Sequence, residues 1–163
     1  MTRRNFSFSL AALAAAATSR IDPAGAVGPG AFEMTKTEDE WRKVLTPEQY
    51  RVLRGHGTEY AGSSPLDKVY DQGTYHCAGC DLAVYSSKTK FNSGTGWPSF
   101  FAPLDNAIGT SVDKSFFSTR TEVHCRRCGG HLGHVFEDGP KPTGLRYCMN
   151  GIAMKFVPGT QSS

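Results

Sequence analysis

The sequence predicts a mainly β fold, a small antiparallel barrel or sandwich with a short N-terminal helical arm and a metal clamp. From Val69 onward the helical period disappears, and short segments rich in Val, Tyr, Phe and Thr are punctuated by Gly and Pro. These segments follow one another without intervening helices, which favours antiparallel over parallel pairing. Upstream, two helix-start patterns stand close together, and two C-x-x-C knuckles sit at predicted strand turns.

The first helix start is Thr37-Glu38-Asp39-Glu40, a capping-box pattern, after which Trp41 and Leu45 share a face. The second is Thr46-Pro47-Glu48-Gln49, with Pro at the first helical position and Gln at the third, and Gly55 stands where that helix would stop. Two short helices are therefore expected over 38–54. Strands are expected over 73–77, 82–86, 112–118, 120–125, 132–137, 144–150 and 152–157. Gly94-Thr95-Gly96-Trp97-Pro98-Ser99-Phe100-Phe101 reads as an irregular glycine-rich turn. Its aromatics either join the core or, in the case of Trp97, wall a small apolar pocket.

Composition fits an ordinary soluble globular domain, with 39% hydrophobic and 20% charged residues over 163 positions. The net charge of +3 owes much to the first 26 residues, and the rest carries 15 basic against 14 acidic side chains. That balance offers no electrostatic footprint for nucleic acid. Arg3 and Arg4 precede Phe6 and the weakly apolar run Leu10 to Ala17, which is far shorter than the roughly 18 residues of a membrane span. The pattern resembles a twin-arginine export signal over 1–26, with Ala24-Gly25-Ala26 as cleavage site and the bacterial periplasm as destination. A mitochondrial or plastid transit peptide is the alternative. Residues 27–36 read as a flexible leader, 37–157 as one domain and 158–163 as a tail, with no membrane insertion expected.

Cys77-Ala78-Gly79-Cys80 and Cys125-Arg126-Arg127-Cys128 pair naturally as one tetrahedral site. Four thiolates at about 2.3 Å suit zinc, and with four protein ligands the role is structural, clamping two hairpins. The competing reading is two disulfides. Cys148 is left over. It is either buried filler or a reactive thiol, and in a strand it would share a face with Arg146 and Asn150, where the guanidinium would stabilise a thiolate. His131 and His134 could titrate in a site, replace a cysteine on the metal, or be ordinary surface residues.

Taken together, Ser93 to Phe100, His131-Leu132-Gly133-His134-Val135-Phe136, Asp138-Gly139-Pro140 and Arg146-Tyr147-Cys148-Met149-Asn150 resemble the methionine-R-sulfoxide reductases, the B class. His56-Gly57-Thr58-Glu59 and the two knuckles fit as well, and the likeness covers roughly residues 37–157 in order. The resemblance implies a twisted, barrel-like β fold, one structural zinc, and thiol-dependent reduction of the R epimer of methionine sulfoxide in oxidised proteins. It makes Cys148 the nucleophile, passing through a sulfenic acid. His131 and His134 become candidates for donating the proton and positioning the substrate, Asn150 a residue that orients substrate or water, Arg146 the thiolate stabiliser and Trp97 the wall against the substrate's methyl group. Many members carry a resolving cysteine where this chain has Thr95. An external, thioredoxin-like thiol is therefore expected to reduce the sulfenic acid directly, the alternative being recruitment of a metal-site cysteine at the expense of the clamp, and the protein is expected to be a monomer.

Overall fold

The computed structural model describes residues 32–114 and 118–159. The expected signal over 1–26, the start of the leader and the end of the tail lie outside the described residues.

Helix α1 (Glu38–Val44) opens at Thr37, whose hydroxyl accepts from the Glu40 amide at 3.3 Å while the Glu40 carboxylate accepts from the Thr37 amide at 2.8 Å. Helix α2 (Pro47–Leu53) repeats the device with Thr46 and Gln49, at 3.2 and 3.0 Å. Such short helices are marginal on their own. Their stability comes from burial of Trp41, Leu45, Val52 and Leu53.

Among the described residues nine strands follow: β1 (Gly73–Cys77), β2 (Ala83–Ser86), β3 (Lys90–Phe91), β4 (Ser99–Phe100), β5 (Ile108–Asp113), β6 (Arg120–Cys125), β7 (His131–Phe136), β8 (Arg146–Met149) and β9 (Met154–Pro158). They form a three-stranded sheet, β2-β1-β9, and a six-stranded sheet, β3-β4-β8-β7-β6-β5, antiparallel throughout. The sheets meet in an aromatic core. Phe100 stacks on Tyr85 with centroids 4.4 Å apart and meets Tyr75 edge-on at 4.9 Å, so the larger sheet packs on both strands of the smaller hairpin.

Three expectations need correction. Of the strand expected over 112–118, residues 115–117 lie outside the described residues; among the described ones the strand runs from Ile108 to Asp113, where pairing with β6 ends opposite Arg120. Gly109 obscures its start: a Cβ there would lie 2.5 Å from the His124 ring, so this strand must carry a residue that weakens the β pattern. The glycine-rich segment is not wholly irregular, since Ser99 and Phe100 form β4. Two residues are too few for periodicity to reveal. Finally, 144–150 contracts to β8 and 152–157 shifts to β9, which ends one residue later, the two being separated by a 3-10 turn over Gly151–Ala153.

Candidate active site and metal centre

The register of the six-stranded sheet builds the site. Directly opposed residues in antiparallel strands share a face. Ser99, Cys148, His134, Glu122 and Ser111 are each opposed to the next, across β4, β8, β7, β6 and β5. One transverse row thus carries the free cysteine and its polar neighbours. The opposite face, with Phe100, Met149 and Val123, is core.

His131 and His134 are three residues apart, so a regular strand would send them to opposite faces. A bulge prevents this. Val123 pairs with Gly133 but His124 pairs with His131, so one extra residue of β7 is absorbed and His131 returns to the face of His134. The two rings meet edge-on with centroids 5.2 Å apart.

Cys148 opens onto a cavity of about 140 Å³ lined by Trp97, His134, Asn150, Phe136, Thr58 and Arg120, together with Gly133. Gly96 makes the Trp97 loop possible: its φ is +86°, and a Cβ there would lie 2.8 Å from the Gly62 amide, which donates to the Gly96 carbonyl. The Trp97 indole donates to the Glu59 carbonyl at 3.2 Å. The Glu59 amide donates to the Asn150 side chain at 2.9 Å, and the Glu59 carboxylate accepts from the Gly151 and Ile152 amides. A single buried glutamate thereby fixes Trp97 and Asn150 relative to the turn that follows the cysteine.

Burial pushes the Cys148 thiol above its usual value, against opposing effects of the Thr95 hydroxyl and the Arg146 charge. Arg146 acts on the sulfur in the sense expected, favouring the thiolate, and desolvation opposes it. Arg146 is itself held by two 2.8 Å hydrogen bonds to Asp138 and lies over the Phe136 ring. His134 Nε2 donates to Asp113 at 2.8 Å. His131 does not line the Cys148 cavity. It lines the adjoining one and donates from Nδ1 to Glu122 at 2.7 Å, and burial keeps its pKa below the usual imidazole value. Arg146 and Cys148 share β8 as expected, whereas Asn150 reaches the cavity from beyond the strand end.

Sequence reasoning missed Glu122 and Asp113, the carboxylates that hold the two histidines. A faint signal existed in the alternation of Arg120, Glu122 and His124 with Val123 and Cys125.

At the end of β1, the Cys77 amide donates to Leu82 and the Asp81 amide to Cys77; at the end of β6, Cys125 donates to Gly130 and Gly129 to Cys125. The two knuckles share one backbone design. All four cysteines are buried, with sulfur atoms 3.7 Å apart for Cys77 and Cys128 and 3.4 Å for Cys80 and Cys125. No disulfide forms: all five cysteines are free. A tetrahedron of sulfurs at about 2.3 Å from a central ion has edges of about 3.8 Å, close to these separations. The Cys125 thiol is held far below its usual value by the Cys128, Cys77 and Cys80 sulfurs, while Cys77 and Cys128 are pushed far above theirs, foremost by Cys125. Four sulfurs this close in a dry setting cannot all ionise without a cation, so the group fits a metal ion. Because Cys77 and Cys125 end strands of different sheets, an ion held there would tie the sheets together.

The SelR domain model matches residues 45–158. The chain belongs to the SelR domain family. This SelR domain is 53% identical over 126 residues to the peptide methionine sulfoxide reductase MsrB of Leptospira interrogans serogroup Icterohaemorrhagiae serovar Lai, covering 77% of this chain and 96% of that protein. It is 53% identical over 127 residues to the protein of the same name in Pseudomonas syringae pv. syringae, covering 77% and 97%. The peptide methionine sulfoxide reductase B2, chloroplastic, of Arabidopsis thaliana is 51% identical over 136 residues, covering 82% and 66%.

Proposed function

We propose that this SelR domain is a peptide-methionine (R)-S-oxide reductase whose nucleophile is Cys148. The observation that carries the reading is Cys148 opening onto a small cavity between Trp97 and His134, in a chain half identical to proteins named for this activity. The Cys148 sulfur attacks the sulfoxide sulfur while its oxygen takes a proton and transfers to Cys148. The sulfoxide is reduced by two electrons to methionine, and the thiol is oxidised to a sulfenic acid. His134 stands across from the attacking sulfur and delivers the proton, with Asp113 orienting its ring and His131 packed behind it. Asn150 orients the substrate, Trp97 receives the methyl group, and Arg146 favours the thiolate against the burial that opposes it.

Thr95 occupies the loop facing Cys148 and leaves no internal cysteine to resolve the sulfenic acid. An external thiol condenses with it, releasing water and forming a mixed disulfide, and a second thiol restores Cys148. A thioredoxin-like protein fits this role, acting on a monomeric enzyme. Cys77, Cys80, Cys125 and Cys128 would hold zinc, whose closed tetrathiolate shell supplies stability and leaves no open position for substrate. The Arg3-Arg4 leader supports export of the folded protein to the periplasm by the twin-arginine route, where its substrates are oxidised exported proteins.

The test is to give the chain dithiothreitol and the separate R and S epimers of a blocked methionine sulfoxide. Loss of the R epimer alone, abolished by Cys148→Ser, is expected. Turnover of neither epimer by folded, metal-replete protein would overturn the assignment.

A further inference from the structure

Beside the Cys148 cavity lies a second one of about 550 Å³, sharing Thr58 and Arg120 with it and lined by His56, Glu122 and His131. The Nδ1 atoms of His56 and His131 both approach the same Glu122 oxygen, at 2.9 and 2.7 Å. We propose that these three side chains form a second metal site, for a borderline divalent ion such as Zn²⁺ or Co²⁺, and that its occupancy inhibits the enzyme.

The donor set is two imidazoles and one carboxylate, which suits ions of this class and leaves coordination positions open to the cavity. Glu122 is anionic: hydrogen bonds from Ser111 and His131 and the nearby His56 outweigh burial and hold its carboxyl below the usual range. Ser111 donates to the other Glu122 oxygen at 2.6 Å, an outer contact that orients the ligand. His131 is 2% exposed, and its Nδ1 already faces the Glu122 oxygen that His56 Nδ1 approaches. Its Nε2 is buried and has no hydrogen-bond partner among the described residues. When the ion takes the Nδ1 position, the ring proton moves to the unpartnered Nε2, a cost that lowers affinity, and bonds from His56, His131 and Glu122 to the ion replace the two hydrogen bonds to Glu122.

His56 approaches from a different element. It is 64% exposed at the side chain and has φ of +52°, an uncommon conformation for a non-glycine residue that turns its ring onto Glu122. Asp113 adds negative charge to the cavity wall, and Lys114 and Arg120 oppose it. Affinity is accordingly expected to be moderate, suiting reversible control. Inhibition follows because His131 packs on His134, and an ion drawn between His56 and His131 repositions the imidazole behind the proton donor. Metal binding stands apart from the reductase reading, and the inhibitory role rests on it.

The experiment uses the full chain with its four-cysteine site already filled by zinc. Co²⁺ is titrated into the Cys148→Ser protein, where the nucleophile cannot bind it, and visible absorption is followed. One further equivalent is expected, with the weak bands of nitrogen and oxygen ligation and no thiolate charge-transfer band. His56→Gly, which relieves the positive φ while removing a ligand, should weaken that binding by about 100-fold. With intact Cys148, Zn²⁺ is added before a single turnover without reductant; the yield is one methionine per chain, and the rate should fall about tenfold or more, far less in His56→Gly. No further equivalent, or equal binding by His56→Gly, overturns the site. Binding that leaves the single-turnover rate unchanged overturns the inhibitory role. Absence of any single turnover in zinc-free buffer would instead count against the reductase reading while leaving the cobalt titration intact.

Discussion

The Thr95 hydroxyl lies 4.0 Å from the Cys148 sulfur, on the same loop as Trp97, which lines the Cys148 cavity. A thiol at position 95 would therefore meet the oxidised nucleophile with little movement of the loop. Thr95→Cys is expected to form an internal disulfide after one turnover, losing both free thiols at the site. The wild-type chain is expected to keep a sulfenic acid that dimedone labels. Mass spectrometry after a single turnover checks both, and dimedone labelling of the Thr95→Cys protein equal to wild type would contradict the geometry.

Arg146 works against the desolvation that raises the Cys148 pKa. Replacing it with methionine removes the charge while keeping much of the stem, so the thiol should become still harder to ionise. The rate of iodoacetamide alkylation near pH 8 is expected to fall in Arg146→Met, with its pH profile displaced upward. A profile coincident with wild type would mean that Asp138 takes up the whole influence of the guanidinium.

Lys90 is buried against the Tyr70 ring and donates to the Asp67 carbonyl at 2.8 Å; burial lowers its pKa from 10.5 to about 8. Between those values the unfolded chain binds more protons at this lysine than the folded one, so its contribution makes stability rise with pH over that window. Below about pH 8 the cost of burying the charge is fully present. Urea midpoints across the window should rise less steeply in Lys90→Met than in wild type, and parallel slopes would show that the ammonium is effectively solvated.

A metal ion at the four cysteines would add a cross-link between two sheets that the chain joins at the turn from β8 to β9 and that pack through aromatic side chains. Stripping the ion with a strong chelator under reducing conditions, or replacing Cys125 with serine, is expected to cost about 4–5 kcal/mol or more. Thermal melts by circular dichroism should show a large drop in midpoint in both cases. A melt unchanged by chelation would remove the structural role.

Much of this was legible in the sequence because it was local. Thr37 with Glu40 and Thr46 with Gln49 announce the helix starts, and the spacing of the knuckles announces a four-cysteine cluster for which a metal site and two disulfides compete. The Cys148 neighbourhood was legible through motifs, but not the carboxylates behind it. Glu122 faces His134 only through pairing between strands, and His131 shares that face only through a bulge that residue spacing argues against. Short β4 and the displaced β5 were hidden for the same reason: what defines them is a partner strand far away in sequence, and Gly109 answers to the His124 ring rather than to strand propensity.

The four cysteines of the metal centre are sealed from solvent, whereas Cys148 is partly exposed. An oxidant arriving from outside therefore reaches the working sulfur first. Over-oxidation would silence the enzyme while its two sheets remain joined, so an inactivated molecule persists as a folded one. Loss of activity and loss of shape become separate events, with separate oxidant thresholds.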